Sequence, residues 1–246
     1  MKDTPAVTQE IPSCAAIFGA SGGIGAALAD LLVERGCQRI YAGSRRGDGA
    51  IGTIPFAFDL ADETSIAAAA QMMREDPPAL VIVATGALTL ESGAGPERSY
   101  KRIDPGVMEE MIRLNTIGPA LIAKHLLPLF HRDARCVFAA LSARVGSISD
   151  NGLGGWHSYR ASKAALNMLL KNFALELGRT HPQSLVLGLH PGTVDTDLSK
   201  PFQKRLPDGQ LLSSRQSAAA LLDVIAQAGP QQSGSVLDWQ AKTVPA

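Results

Sequence analysis

The sequence has few cysteines and no excess of charge of either sign. Three cysteines occur among 246 residues, and no two of them form a Cys-x-x-Cys pair, so the pattern predicts neither a disulfide framework nor a metal site. Basic and acidic residues number 23 each, which gives a formal net charge of zero. Because binding to phosphate backbones needs a clustered excess of positive charge, we expect no nucleic-acid partner.

Long hydrophobic runs are absent as well. The longest strongly apolar stretch, residues 79–88, is far shorter than the roughly 20 residues that a membrane-spanning helix needs. Residues 1–12 contain Lys2, Asp3 and Glu10 in place of the apolar segment of a signal peptide. We therefore expect a cytoplasmic protein without a membrane partner.

Apolar residues occur instead in short runs that alternate with helical patterns. The predicted strands are 13–18, 39–42, 56–58, 80–84, 136–141, 184–189 and 235–237, and the predicted helices after the first are 61–75, 107–130, 159–177 and 217–228. Short, continuous apolar strands between helices are typical of a parallel sheet with helices on both faces. Because no repeat or linker interrupts the chain, the pattern predicts a single doubly wound, Rossmann-like α/β domain over residues 1–246.

A glycine-rich turn follows the first predicted strand and opens the first helix. Glycines allow positive φ and a close approach of backbone N–H groups to a phosphate, and the helix N-terminus adds a partial positive charge. A glycine-rich turn without a ligand is the alternative, but the strand before it and the helix after it favour a diphosphate site. The predicted cofactor-binding residues here are Gly19, Ser21, Gly22, Gly23, Ile24 and Gly25.

The end of the second predicted strand indicates which dinucleotide binds. An acidic residue about 20 positions after the glycines would select NAD, and none occurs between Glu34 and Asp48. Ser44, Arg45 and Arg46 stand there instead, and two guanidinium groups suit a 2′-phosphate. This favours NADP(H) over NAD(H), the alternative being a solvated arginine pair on a surface turn.

Tyr159 and Lys163 stand one turn apart near the start of the helix predicted over 159–177. A free tyrosine has a pKa of roughly 10, and a neighbouring ammonium group would lower that pKa.

The helix predicted over 159–177 is apolar around nearly its whole circumference, so it needs cover on two sides. The sheet would cover one side and a second subunit the other, which predicts a homodimer or homotetramer.

With the glycine turn upstream of Tyr159 and Lys163, the sequence resembles the short-chain dehydrogenase/reductase family over nearly its whole length. Residues 146–151 and 155–160 are most similar to its C-factor-like carbonyl reductase branch. Phe18 stands where the family usually has threonine, and residues 84–87 keep only the tail of its Asn-Asn-Ala-Gly motif. The resemblance implies further cofactor contacts from Asp59, Leu60, Ala84, Thr85, Gly86, Tyr159, Lys163, Pro191, Gly192, Val194 and Thr196.

The resemblance also implies four catalytic residues. Tyr159 would donate a proton, Lys163 would bind the ribose and lower the pKa of Tyr159, and Asn115 would hold a water in a proton relay. Ser142 is assigned to bind the substrate oxygen, although the family's spacing to Gly146 falls on Ala143 and Ser147 is also near. Residues 193–213 take the position of the family's substrate lid.

The activity implied by this resemblance is NADP(H)-dependent hydride transfer between the nicotinamide and a small-molecule carbonyl or alcohol. The alternative is a nucleotide-binding regulatory or signalling protein with the same fold and little turnover. The intact Tyr159, Lys163 and Asn115 favour the enzyme.

Overall fold

A computed structural model describes residues 11–200, 203 and 210–246. The strands are β1 (Cys14–Phe18), β2 (Arg39–Ser44), β3 (Ile54–Ala57), β4 (Leu80–Val83), β5 (Val137–Leu141), β6 (Leu185–His190), β7 (Thr193–Val194), β8 (Leu211–Leu212) and β9 (Val236–Asp238). The helices are α1 (Gly23–Glu34), α2 (Glu63–Met72), α3 (Pro105–Ile112), α4 (Gly118–Leu126), α5 (His157–Leu177) and α6 (Ser214–Gln227).

Seven of these strands form a parallel sheet in the order β3-β2-β1-β4-β5-β6-β9. After β1 the chain adds β2 and β3 on one side of the sheet, and it then crosses to add β4 on the other side. The order in which strands are added therefore reverses at β1. In such a sheet the carboxyl ends of these two central strands, β1 and β4, border a crevice, and ligands bind there. The predicted Rossmann-like α/β fold is confirmed.

Helices cover both faces of this sheet, which explains why its strands are continuously apolar. In β1, Ala15 and Ile17 pack towards α1 and α6, whereas Ala16 and Phe18 pack towards α2, α4 and α5. All five residues of β1 are buried. None of the helices within the described residues is long and apolar enough to cross a bilayer.

The helix predicted over 107–130 is in fact interrupted. A π-helical turn over Arg113–Ile117 separates α3 from α4, and Pro119 stands in the first turn of α4. The turn widens the helix where Asn115 enters the interior, and Asn115 is fully buried. Single π-helical turns within helices are frequent at functional sites.

The segment predicted to be irregular over 193–213 contains two short strands, because Thr193 and Val194 pair with Leu211 and Leu212 in parallel register. Half of the predicted lid between them, residues 201, 202 and 204–209, lies outside the described residues. α6 begins three residues before its predicted start, at Ser214. The reason is a capping box that the sequence analysis missed, in which Ser213 and Gln216 bond each other's backbone N–H groups.

Candidate active site

The glycine turn lies at the carboxyl end of β1, where the sheet crevice opens. The N–H groups of Gly19 and Ala20 both donate to the carbonyl oxygen of Gly43 in β2, at 2.9 and 2.8 Å. Gly19 has a φ of +99°, and a Cβ at Gly25 would stand 2.0 Å from the Gly19 carbonyl oxygen. The N-cap residue of α1 is Gly22, which has no side chain with which to cap the helix. The positive end of α1 is therefore available to an anion.

A groove of about 620 Å³ runs from this turn past the ends of β2, β3 and β4. Thr85 is one of the lining residues, and its buried Oγ1 finds no hydrogen-bond partner among the described residues; since buried polar groups are normally paired, this points to a bound ligand here. With the glycine cradle, this fits an elongated, polar dinucleotide. The predicted residues that line the groove are Gly19, Ser21, Gly22, Ser44, Arg45, Asp59, Leu60, Ala84, Thr85 and Gly86.

The predicted cofactor residues at the start of α1 and after β6 are not part of the lining of this groove. Gly23, Ile24 and Gly25 form the first turn of α1 behind the glycine turn. Thr196 approaches the same turn, since a Cβ at Gly23 would stand 2.9 Å from Thr196 Cγ2. The list is completed by Pro191, Gly192 and Val194, which follow β6 and form the start of the segment leading to Thr196.

The residues predicted to bind a 2′-phosphate already have carboxylate partners. Arg45 pairs with Glu91, and both side chains are largely exposed. Arg46 Nε lies 3.1 Å from Asp48 Oδ2, and Ser44 Oγ donates to Asp48 Oδ1 at 2.5 Å. The hydrogen bond from Ser44 holds the pKa of Asp48 below its ordinary value, so a phosphate would meet negative charge as well as the arginines.

Tyr159 and Lys163 lie in the first turns of α5 and are both buried. Lys163 Nζ donates to the Leu141 carbonyl oxygen at 2.8 Å and lies 5.9 Å from the centre of the Tyr159 ring. Burial raises the pKa of Tyr159 to about 12 and lowers the pKa of Lys163 to about 8. In both cases the cause is desolvation, which disfavours the charged form of the group, and the expectation that Lys163 lowers the pKa of Tyr159 stays a prediction.

Asn115 connects the segment after β4 to α5. Its Oδ1 accepts the Ala87 N–H at 2.8 Å, and its Nδ2 donates to the Ala87 carbonyl oxygen at 2.8 Å and to Ser162 Oγ at 3.1 Å. A Cβ at Gly86 would stand 3.1 Å from Asn115 Oδ1 and 3.3 Å from Lys163 Nζ. The two predicted catalytic residues thus meet at Gly86, although the amide of Asn115 is engaged by protein groups.

Ser142, predicted to bind the substrate oxygen, has a hydrogen-bond partner within the protein. It follows β5 directly, and its Oγ donates to Asn167 Oδ1 in α5 at 2.6 Å. Ala143, one residue later, packs against the cluster of Leu88, Leu90, Met111 and Tyr159. Ser147 Oγ accepts the Asp150 N–H at 3.1 Å. The assignment of Ser142 to the substrate oxygen stays a prediction, and so does the alternative register, in which Ala143 stands at the serine position.

Asp48, Glu91 and Asn167 contact site residues and were not predicted. Asp48 lies in a Gly-Asp-Gly turn, a signal that the chain folds back on itself after Ser44. Asn167 stands four residues after Lys163, a spacing that places both on one face of α5. Glu91 had no signal in the sequence, because its partner lies 46 positions away.

A parallel sheet with a glycine turn at its central crevice, and a buried Tyr–Lys pair in a helix beside it, defines a class of Rossmann-like oxidoreductases. The chain belongs to the short-chain dehydrogenase family, whose model matches residues 13–207.

Similar proteins agree with this family. The chain is 31% identical over 224 residues to a 1-hydroxy-2-glutathionyl-2-methyl-3-butene dehydrogenase of Rhodococcus sp. (strain AD45), covering 89% of this chain and 92% of that one. It is 33% identical over 144 residues to C-signal of Myxococcus xanthus, covering 58% of this chain and 81% of the relative. The structure of an NADPH-bound carbonyl reductase from chicken fatty liver has the same fold, with a TM-score of 0.81, 23% identity and coverage of 95% and 94%.

The close contact between α1 and β1 generates a prediction. In Gly25→Ala the added methyl group meets the Gly19 backbone at 2.0 Å, so the helix must move away from the strand. We expect the free energy of unfolding in urea to fall by about 1–3 kcal/mol, as overpacking usually costs. Gly152→Ala, where no atom of the described residues lies within 4 Å of the added Cβ, is the matched control. Equal stability of the two variants would show that α1 adapts freely.

Proposed function

We propose that the protein is an NADP(H)-dependent oxidoreductase that reduces a carbonyl group, or oxidises the corresponding alcohol, on a small-molecule substrate. The observation that carries the proposal is the buried pair of Tyr159 and Lys163 on α5, with Lys163 beside Gly86 at the groove. Leu88, Leu90 and Met111 pack with Tyr159, so the substrate's neighbourhood is apolar and suits a lipophilic carbonyl compound.

Each part of a dinucleotide has residues that would hold it. The nicotinamide, when bound, supplies or takes up the hydride. The glycine turn and the N-terminus of α1 would bind the diphosphate, and the segment from Pro191 to Thr196 would lie along the nicotinamide. Asp59 and Leu60 would contact the adenine, and Lys163 the ribose.

The pKa values of the site favour proton donation by Tyr159. With its pKa raised to about 12, the phenol keeps its proton at neutral pH and can give it to the carbonyl oxygen as negative charge develops there. Lys163, with its pKa lowered to about 8, remains mostly protonated at pH 7 and would stabilise the phenolate left behind. The raised pKa of Tyr159 and the still protonated Lys163 therefore suit the reduction of a carbonyl.

A nucleotide-binding protein with little turnover is the second candidate. The observation in its favour is that Ala143 faces the Tyr159 cluster, where the family places a hydroxyl donor, while Ser142 is bonded to Asn167. Consumption of NADPH across a panel of aldehydes, ketones and diketones separates the candidates. Binding of NADPH without consumption of any substrate would favour the second.

The role of Tyr159 generates a prediction. Tyr159→Phe removes the proton donor and leaves the ring, so kcat should fall by at least about 10²-fold while the dissociation constant for NADPH, measured by fluorescence, is retained. Tyr100→Phe, at a side chain that is 69% exposed, is the control. Full activity of Tyr159→Phe would remove this tyrosine from the mechanism.

A further prediction concerns the serine position. Because Ser142 Oγ is bonded to Asn167, Ser142→Ala should change kcat by much less than the 10²- to 10³-fold that loss of a donor to the developing oxyanion costs. Ala143→Ser would add a hydroxyl beside the Tyr159 cluster and should raise kcat. Steady-state kinetics on both variants decide the matter. A loss of about 10²-fold in Ser142→Ala would instead support the assignment of Ser142 to the substrate oxygen.

We also propose that NADP(H) is preferred and that Glu91 weakens the preference by competing for Arg45. Glu91→Gln removes that competition, so the affinity for NADPH should rise by about two- to fivefold at low salt, the size of an exposed ion pair, with NADH unaffected. Arg45→Ala should weaken NADPH alone, and Glu109→Gln is the control. Equal wild-type affinities for NADPH and NADH would contradict the preference itself.

A further inference from the structure

The segment between β4 and α3 carries a buried carboxylate that the mechanism above does not use. Glu97 is only 7% exposed. Its Oε2 accepts the Ser158 backbone N–H at 3.1 Å, and its Oε1 accepts the Ser158 hydroxyl. The backbone carbonyl oxygen of Glu97 accepts the Trp156 N–H at 2.5 Å. Glu97 therefore binds the chain immediately before Tyr159 at three points.

The start of α5 explains why it needs such a partner. The first N–H groups of a helix have no acceptor within the helix, and an N-cap side chain usually accepts one from the second or third helical residue. The N-cap of α5 is Trp156, which has a φ of +55° and whose indole N–H is a donor only, so this side chain cannot accept a helix N–H. Ser158 is the second residue of α5, so Glu97 accepts the bond that an N-cap side chain would normally accept, from 61 positions away.

The charge of Glu97 also suits this position. Burial acts to raise its pKa, but hydrogen bonds that include those from Ser158 and from its own backbone N–H outweigh burial, and the pKa is lowered. The group is therefore an anion at neutral pH, at the positive end of the α5 dipole.

The same segment covers Tyr159 from the side. Leu88 and Leu90 pack with the Tyr159 ring, and the Trp156 ring meets it edge to face with ring centres 6.3 Å apart. The Tyr159 ring thus contacts Trp156, whose N–H is bonded to the Glu97 carbonyl oxygen. Tyr159 also follows directly after Ser158, whose N–H and hydroxyl are bonded to the Glu97 carboxylate.

We propose that Glu97 is a positioning residue for Tyr159, which fixes the first turn of α5 and so sets where the phenol stands relative to the substrate carbonyl. The inference rests on the proposed function for its catalytic consequence, although the capping contact is independent of any activity. A displacement of the proton donor by about 1 Å can lower a rate by 10²-fold.

The test compares Glu97→Ala with Glu97→Gln and with a control at another helix. Glu97→Ala should lower kcat for NADPH-dependent carbonyl reduction by about 10- to 10²-fold. The dissociation constant for NADPH should stay within about twofold of the wild-type value, because a positioning residue acts on the rate and not on cofactor binding. Glu97→Gln keeps an oxygen that can accept the Ser158 N–H and should recover most of kcat. Asp62→Ala removes the cap of α2, where Asp62 accepts the Thr64 N–H at 2.9 Å, and should leave kcat unchanged.

A second readout does not depend on turnover. Amide hydrogen exchange in the first turn of α5, over 157–160, should accelerate in Glu97→Ala by about tenfold or more, as local opening becomes easier, and should not change in Asp62→Ala. If wild-type protein reduces no carbonyl compound, the proposed function fails while exchange still tests the contact. If Glu97→Ala does not fold, Ser158→Ala removes one of the bonds, and its kcat should fall without a change in NADPH affinity.

Two results would overturn the proposal. The first is a kcat of Glu97→Ala that matches wild type or falls no further than that of Asp62→Ala. The second is unchanged exchange over 157–160 in Glu97→Ala, which would show that the carboxylate does not hold this turn.

Discussion

The close approach of α1 to the end of β1 is the contact on which the rest of the site depends. Gly25 can sit against the Gly19 carbonyl only because it lacks a side chain, since a Cβ would be 2.0 Å from that oxygen. The contact brings the helix N-terminus to the crevice between β1 and β4, where the order in which strands are added to the sheet reverses. If a methyl group at Gly25 pushed α1 away from β1, the N–H groups at the start of the helix would move away from a bound diphosphate.

Burial is the second constraint, and it acts in opposite directions on the two ionisable groups of α5. Desolvation disfavours the charged form of each, which raises the pKa of Tyr159 to about 12 and lowers that of Lys163 to about 8. The hydrogen bond from Lys163 to the Leu141 carbonyl oxygen partly compensates its ammonium group. The result is a proton donor that keeps its proton, beside a lysine that still carries charge at pH 7.

The fold and the glycine turn were predictable because their signals are local. Continuous apolar strands such as β1 follow from burial on both faces, and the turn follows from glycines between a strand and a helix. The break between α3 and α4 was missed because the apolar spacing continues through the π-helical turn. The carboxylates were missed for another reason. Glu91 and Glu97 meet partners 46 and 61 positions away, and no periodicity records such distant contacts.

These distant contacts share one segment, residues 84–99, which follows β4 and contributes residues 84–87 and 89–92 to the groove. Near its start, Ala87 is clamped by Asn115, and Leu88 and Leu90 pack with Tyr159. Glu91 then pairs with Arg45 at the far side, and Glu97 returns to the start of α5. The surface ion pair is worth little by itself, whereas the buried bonds to Ser158 and Ala87 are costly to break. A ligand that displaces Glu91 from Arg45 would therefore free only the middle of the segment, while Tyr159 stays fixed by both ends.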